Sequence, residues 1–177
     1  MRSRGGLVQK SAFLGLVLVA FLLGPPGSFA EERDAATEPV EKQLQAIVAS
    51  LRERLAITAA VDVAIVPSNA LMMSVAAPDD QSRPFLLAVD SSFLDTLTDD
   101  ELEAAIAHEL GHVWVFTHHP FLQTEELANQ IAMRAVSRES LELVYGKVWA
   151  RGGVKGDLVR FLGTAPAAGL ASDNQAR

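Results

Sequence analysis

The chain has 177 residues, with 15 Lys and Arg against 22 Asp and Glu, a formal net charge of −7 and no cysteine. The acidic balance argues against nucleic acid and against an anionic membrane surface as partners, and the lack of cysteine excludes disulfides and a lipoprotein anchor. Hydrophobic residues make up 49% of the chain, enough to build the core of one domain without cross-links.

Residues 1–30 read as a secretory signal peptide. Arg2, Arg4 and Lys10 make a basic start, and residues 11–23 form an apolar run. Gly24-Pro25-Pro26-Gly27 breaks that run, and Ser28 and Ala30 place small residues where a signal peptidase reads. The run is short of the roughly 20 residues a membrane helix needs. The expectation is cleavage after Ala30, export to the periplasm or beyond, and no stable membrane insertion of the mature chain; an uncleaved anchor is the alternative. Losing the three basic residues of the leader takes the formal charge from −7 to −10.

Residues 31–39 are charged and poor in apolar side chains, as in a flexible mature N-terminus. Val40, Leu44, Ile47, Val48, Leu51 and Leu55 then recur at helical spacing, which predicts an amphipathic scaffold helix. Residues 61–66 are β-rich and end at Pro67, so they read as a strand. Ser68-Asn69 is a turn, residues 70–75 are a second strand candidate with Leu71-Met72-Met73 as ordinary core, and residues 85–89 are a third. These strands are expected to form a small, mostly antiparallel sheet. An exposed edge strand of such a sheet can hold a peptide by backbone pairing.

A short helix or turn over residues 91–97 leads to Thr98-x-x-Glu101, a capping box, with Asp99 and Asp100 suited to the positive end of a helix. The helix that follows is apolar on most sides, so it belongs inside a core. It is expected to run to about Phe116, with Pro120 stopping it. On it stands His108-Glu109-Leu110-Gly111-His112. Residues four apart share a helix face, so the two imidazoles can converge on one metal ion. Glu109 borders that face and can serve as general base toward a metal-activated water without being a ligand. Gly111 leaves room for a neighbouring backbone.

His118 and His119 are candidates for contacting a substrate oxyanion or for a further metal contact; a solvated His pair is the plainer reading. Thr124 caps the next helix, which starts twelve residues after His112. A catalytic zinc site commonly adds a carboxylate to two imidazoles, and Glu125 and Glu126 both qualify by position. Acidic residues at a helix N-terminus explain both equally well. A helix over residues 141–149 carries Tyr145, the only tyrosine and another candidate oxyanion helper. Gly152-Gly153 ends it, residues 157–161 make a last short helical segment, and residues 164–177 read as a disordered tail.

The stretch from Leu97 to Val113 resembles the active-site segment of gluzincin peptidases of the HtpX, CAAX-prenyl-protease and periplasmic quality-control type. Asn69-Ala70 and residues 85–94 are similar to that family's Asn-Ala edge strand, a substrate-contacting feature, and to the strand and turn before its metal helix. The resemblance implies an α+β, zincin-like fold with the sheet packed on an active-site helix and a glutamate helix. It implies a metallopeptidase domain over residues 40–163, Zn2+ as cofactor, and a protein or peptide as substrate. The family's third ligand opens a Glu-x-x-Ala-Asp pattern, which maps onto Glu125-Glu126-Leu127-Ala128-Asn129 with Glu125 as ligand. Asn129 then takes the place of an Asp that accepts a hydrogen bond from a ligand His. That Asn and the short gap after His112 are closer to the ImmA/IrrE-type peptidases, and a compact minigluzincin fits both. The expected function is that of an exported zinc-dependent metalloendopeptidase. The alternative is a non-catalytic zinc-binding interaction module, which would reveal itself by a fourth protein ligand closing the coordination sphere.

Overall fold

Pro39 lies in the first turn of helix α1 (Glu38–Arg54), where a missing N–H costs nothing, and Leu44, Val48 and Leu51 fall on one face and are buried. The structure, a computed structural model, describes residues 38–80 and 82–164. The expected signal peptide, residues 31–37 and residues 165–177 of the expected tail lie outside the described residues. The helix begins two residues before the expected domain start at residue 40.

Three strands follow: β1 (Val61–Val66), β2 (Met73–Ala76) and β3 (Phe85–Asp90). Their order is β1-β3-β2, with β3 central. Strand β2 pairs with β3 antiparallel, from Met73 opposite Val89 to Ala76 opposite Leu86. Strand β1 pairs with β3 in parallel, from Val61 opposite Phe85 to Val66 opposite Asp90. The sheet is therefore mixed, with one pairing of each kind, where mostly antiparallel pairing was expected. The long excursion through β2 to the far edge brings the chain back for β3 in the direction of β1, as a parallel pair requires. Phe85, Leu87 and Val89 point into the core and Leu86 points out, the alternation of a strand with one covered face.

The second strand starts later than its apolar run. Asn69 takes up the residues before it: its Nδ2 donates to Ser74 Oγ and to the Ala88 carbonyl at 3.0 Å each, and its Oδ1 accepts from Leu71 N. Met72 adopts a left-handed backbone, φ 67°. Asn69 and Ala70 thus form a turn ahead of the edge strand rather than part of it. Met72 and Met73 enter the core while Leu71 stays exposed.

Helix α2 (Ser91–Leu94) leads into α3 (Asp99–His118), the longest helix among the described residues and the centre of the fold. The Thr98 capping box forms, with Thr98 N donating to Glu101 Oε2 at 2.7 Å and Thr98 Oγ1 accepting from Glu101 N. Helices α4 (Glu125–Ala132), α5 (Arg138–Gly152) and α6 (Leu158–Leu162) complete the chain. Helix α3 packs against α1, α4, α5 and β2, so Ala104, Ile106, Ala107, Leu110 and Val113 are buried all round it. No helix among the described residues is long and apolar enough to cross a membrane.

Asp90 ties the sheet to the helices. Its carboxylate accepts from Asn69 N and Phe93 N at 2.9 Å, from Ser92 Oγ at 2.6 Å and from Arg151 of α5 at 3.1 Å. The Ser92 hydroxyl, the Asn69 and Phe93 N–H groups and then Arg151 hold its pKa down at about 2. A depressed carboxylate stabilises the fold above its ordinary pKa, and that contribution is lost as pH falls through the folded value. Asp90→Asn is therefore expected to lower the melting temperature at pH 7. The deficit should shrink as pH falls from about 4 toward 2 in a denaturation series. A deficit that does not change with pH would contradict the assignment.

Candidate metal centre

Two imidazoles four residues apart on α3 lie on the same face, with ring centroids 4.8 Å apart and planes at 89°. Thr124 caps α4 by accepting from Leu127 N, which places Glu125 at the first helical position. The two helices meet at Gly111. A Cβ there would lie 2.2 Å from the Ala128 carbonyl oxygen, so α4 approaches α3 as closely as it does only because residue 111 has no side chain.

That approach delivers Glu125 to the histidines. Its Oε2 lies 3.3 Å from His108 Nε2 and its Oε1 lies 3.6 Å from His112 Nε2. The three donor atoms fall within 4.8 Å of one another, and each side chain keeps some exposure: 16% for His108, 20% for His112 and 29% for Glu125. No fourth His, Asp or Glu joins this group among the described residues. Glu126, which spacing left equal to Glu125, is exposed and accepts a hydrogen bond from Gln130.

Asn129 is fully buried and uses its whole amide. Its Nδ2 donates to the Tyr145 hydroxyl at 2.7 Å and to the Phe161 carbonyl at 3.0 Å. A carbonyl only accepts, so the amide nitrogen faces it and Oδ1 faces His108 Nδ1, 2.8 Å away. His108 must then carry its proton on Nδ1. In the neutral ring, the Nε2 lone pair points at the Glu125 carboxylate. Two lone-pair donors face each other at 3.3 Å, an arrangement favourable only with a positive charge between them.

The charge balance agrees. Burial alone would depress His108, but the Glu125 carboxylate, helped by Glu109 and Asn129, raises it to about 9. Burial pushes Glu125 up and its contacts with His108 and His112 outweigh that, holding it well below the usual carboxylate range. The group attracts a proton where a divalent cation would sit, and its donor set of two imidazoles and one carboxylate suits such a cation. Glu109 is 9% exposed and takes part in no ion pair among the described residues. It follows His108 directly on α3.

The other sequence candidates lie in other settings. His118, exposed at the end of α3, stacks flat on Trp114 at 4.0 Å, and its Nδ1 donates to the Trp114 carbonyl at 2.8 Å. His119 is the C-cap of α3 and is also exposed. The Tyr145 hydroxyl is engaged by Asn129, and its ring meets the His108 ring edge-on at 5.9 Å. Burial raises the phenol's pKa against that hydrogen bond, and the Glu125 and Glu109 charges add to the rise. Asn69 and Ala70 belong to the turn before β2. Sequence reasoning missed Phe161, whose contribution is a backbone carbonyl and leaves no side-chain signature.

A sequence model described as peptidase family M48 matches residues 40–172. No curated protein sequence matches the chain. Among solved structures, the chain is similar to the crystal structure of the metallopeptidase zymogen of Pyrococcus abyssi abylysin, with a TM-score of 0.47 and 13% identity. That match covers 64% of this chain and 99% of the other.

The contact at Gly111 generates a prediction. Gly111→Ala forces α4 away from α3, because the obstacle is the Ala128 backbone and not a side chain that can turn aside. The variant is expected to bind divalent metal at least roughly tenfold more weakly in a chelator competition, in line with the cost of disturbing groups that orient a ligand. Unchanged affinity would mean that the helix approach does not set the Glu125 position.

Proposed function

The chain belongs to peptidase family M48 and is a metallopeptidase, and from that premise we propose an exported zinc-dependent endopeptidase of compact gluzincin type. The HtpX and CAAX-prenyl-protease resemblance of the metal helix supports this placement within the family. The observation that carries it is the convergence of His108, His112 and Glu125 with the Asn129 contact that turns the His108 Nε2 lone pair inward. These three residues would hold the metal. Bound zinc supplies a Lewis acid that lowers the pKa of water toward ~7 and polarises a carbonyl.

The chain's own residues supply the rest. Glu109 takes a proton from water as the water oxygen bonds to the scissile carbonyl carbon. It returns that proton to the amine nitrogen as the C–N bond breaks; the second water proton, left on the new carboxyl group, passes to the freed amine, so the products are a carboxylate and an ammonium. Glu109 is buried next to His108 on α3 and has no cationic partner among the described residues, a setting that suits a proton acceptor. His108 is oriented by Asn129. Strand β2 is an edge strand beside α3, and its unpaired backbone side suits an extended peptide. The turn built by Asn69 fixes where that edge begins. The basic start, apolar run and small residues before position 31 support export and cleavage after Ala30.

The reading as a non-catalytic zinc module calls for a fourth protein ligand. The metal group has three donors among the described residues, and His118 is held against Trp114 instead. An open position favours the enzyme. Glu109→Gln is expected to lower hydrolysis of an unfolded protein substrate by at least roughly a hundredfold while zinc content stays unchanged. Full activity in that variant would remove Glu109 from the mechanism.

A further inference from the structure

The Asn129 amide connects the metal helix to the far end of the described chain. Its Nδ2 donates to the Phe161 carbonyl of α6 at 3.0 Å, while its Oδ1 accepts from His108. Helix α6 is itself clamped. Arg138 at the start of α5 donates to the Leu162 carbonyl at 2.7 Å and to the Gly163 carbonyl at 2.9 Å, and its Nε donates to Glu142 at 2.7 Å. The Phe161 ring packs on Tyr145 and Trp149, and Leu162 is buried. A continuous set of contacts thus runs from Glu142 and Arg138 through α6 to Asn129 and His108.

We propose that α6, held by the Arg138 clamp, is a positioning element of the metal centre, and that its Phe161 carbonyl is what requires an amide at position 129. The claim rests on His108 being a metal ligand. A carboxylate at position 129 would set an oxygen 3.0 Å from a carbonyl oxygen, lone pair against lone pair, unless it took up a proton. An amide accepts from His108 and donates to Phe161 at once, which an ionised carboxylate cannot do. Here the Asp of the resembled family would be the worse residue, because the C-terminal helix presents an acceptor. Arg138 touches neither metal ligand nor Asn129, so its effect on metal binding passes through α6.

The test compares the full chain with Arg138→Met, Arg138→Lys and Asn129→Asp. Zinc affinity is read by competition with a chromophoric chelator, geometry by the visible spectrum of the cobalt-substituted protein, and stability by melting of the metal-free form. Arg138→Met should weaken zinc binding roughly tenfold and shift the cobalt spectrum, within the range expected for groups that orient a ligand. Arg138→Lys, which can keep one carbonyl contact, should recover part of the loss. Asn129→Asp should weaken zinc at least as much. Variants that melt earlier yet keep zinc affinity and cobalt spectrum would reduce α6 to packing and overturn the proposal, as would tighter zinc binding by Asn129→Asp. A wild-type chain that takes no zinc would contradict the proposed function instead. The coupling is then read in the metal-free protein: combined Asn129→Asp and Arg138→Met losses in melting temperature fall short of additive if the Phe161 carbonyl opposes the new carboxylate. Additive losses overturn the proposal.

Discussion

The contact between Gly111 and the Ala128 backbone sets the geometry of everything around it. Helix α3 carries the two imidazoles and α4 carries the carboxylate, so the site exists only where these helices touch. At Gly111 the obstacle to any side chain is a peptide carbonyl, which can move only if α4 moves. Glu125 lies less than one turn before Ala128, and Asn129 directly after it. One close approach therefore places the candidate third ligand against Nε2 of both histidines and the orienting amide against Nδ1 of one. The glycine inside the His-Glu-Leu-Gly-His run serves the neighbouring helix, while the two histidines of the run face Glu125.

Around that contact the fold is arranged to hold α3 still. The capping box at Thr98 satisfies the first turn, and Lys147 of α5 pairs with Glu101, which is almost fully buried. Asp90 gathers the β1–β2 turn, the start of α2 and Arg151 of α5 at one carboxylate. These ties lie away from the metal group, and they leave Glu109 without an ion pair among the described residues. The contrast has a simple electrostatic sense: carboxylates that brace the fold are paired with cations, and the one proposed as general base is not.

Much of this was legible in the sequence. The His108 and His112 spacing, the Thr98 cap, the need for room at Gly111, the first and third strands and the four longer helical stretches follow from local pattern. Glu125 was not separable from Glu126 by spacing, because both suit a helix N-terminus; resemblance favoured Glu125, and the helix approach brings Glu125 in and leaves Glu126 exposed. The parallel β1–β3 pair was not legible, since strand order depends on contacts remote in sequence. The late start of β2 depends on an Asn69 side chain that bonds to a neighbouring strand and on a left-handed Met72. The carbonyl of Phe161 had no signal at all, because every residue has one. What could be read was the Asn at position 129, and the structure supplies a reason for it.

The measurement that reaches the central claim most directly is the zinc content of the purified chain beside Glu125→Ala and Glu126→Ala variants prepared identically. The account predicts one zinc per chain in the wild type and in Glu126→Ala, and loss of zinc in Glu125→Ala. Equal retention of zinc without Glu125 would contradict it, and would mean that the contact made by α4 at Gly111 is packing rather than the means of completing a metal centre.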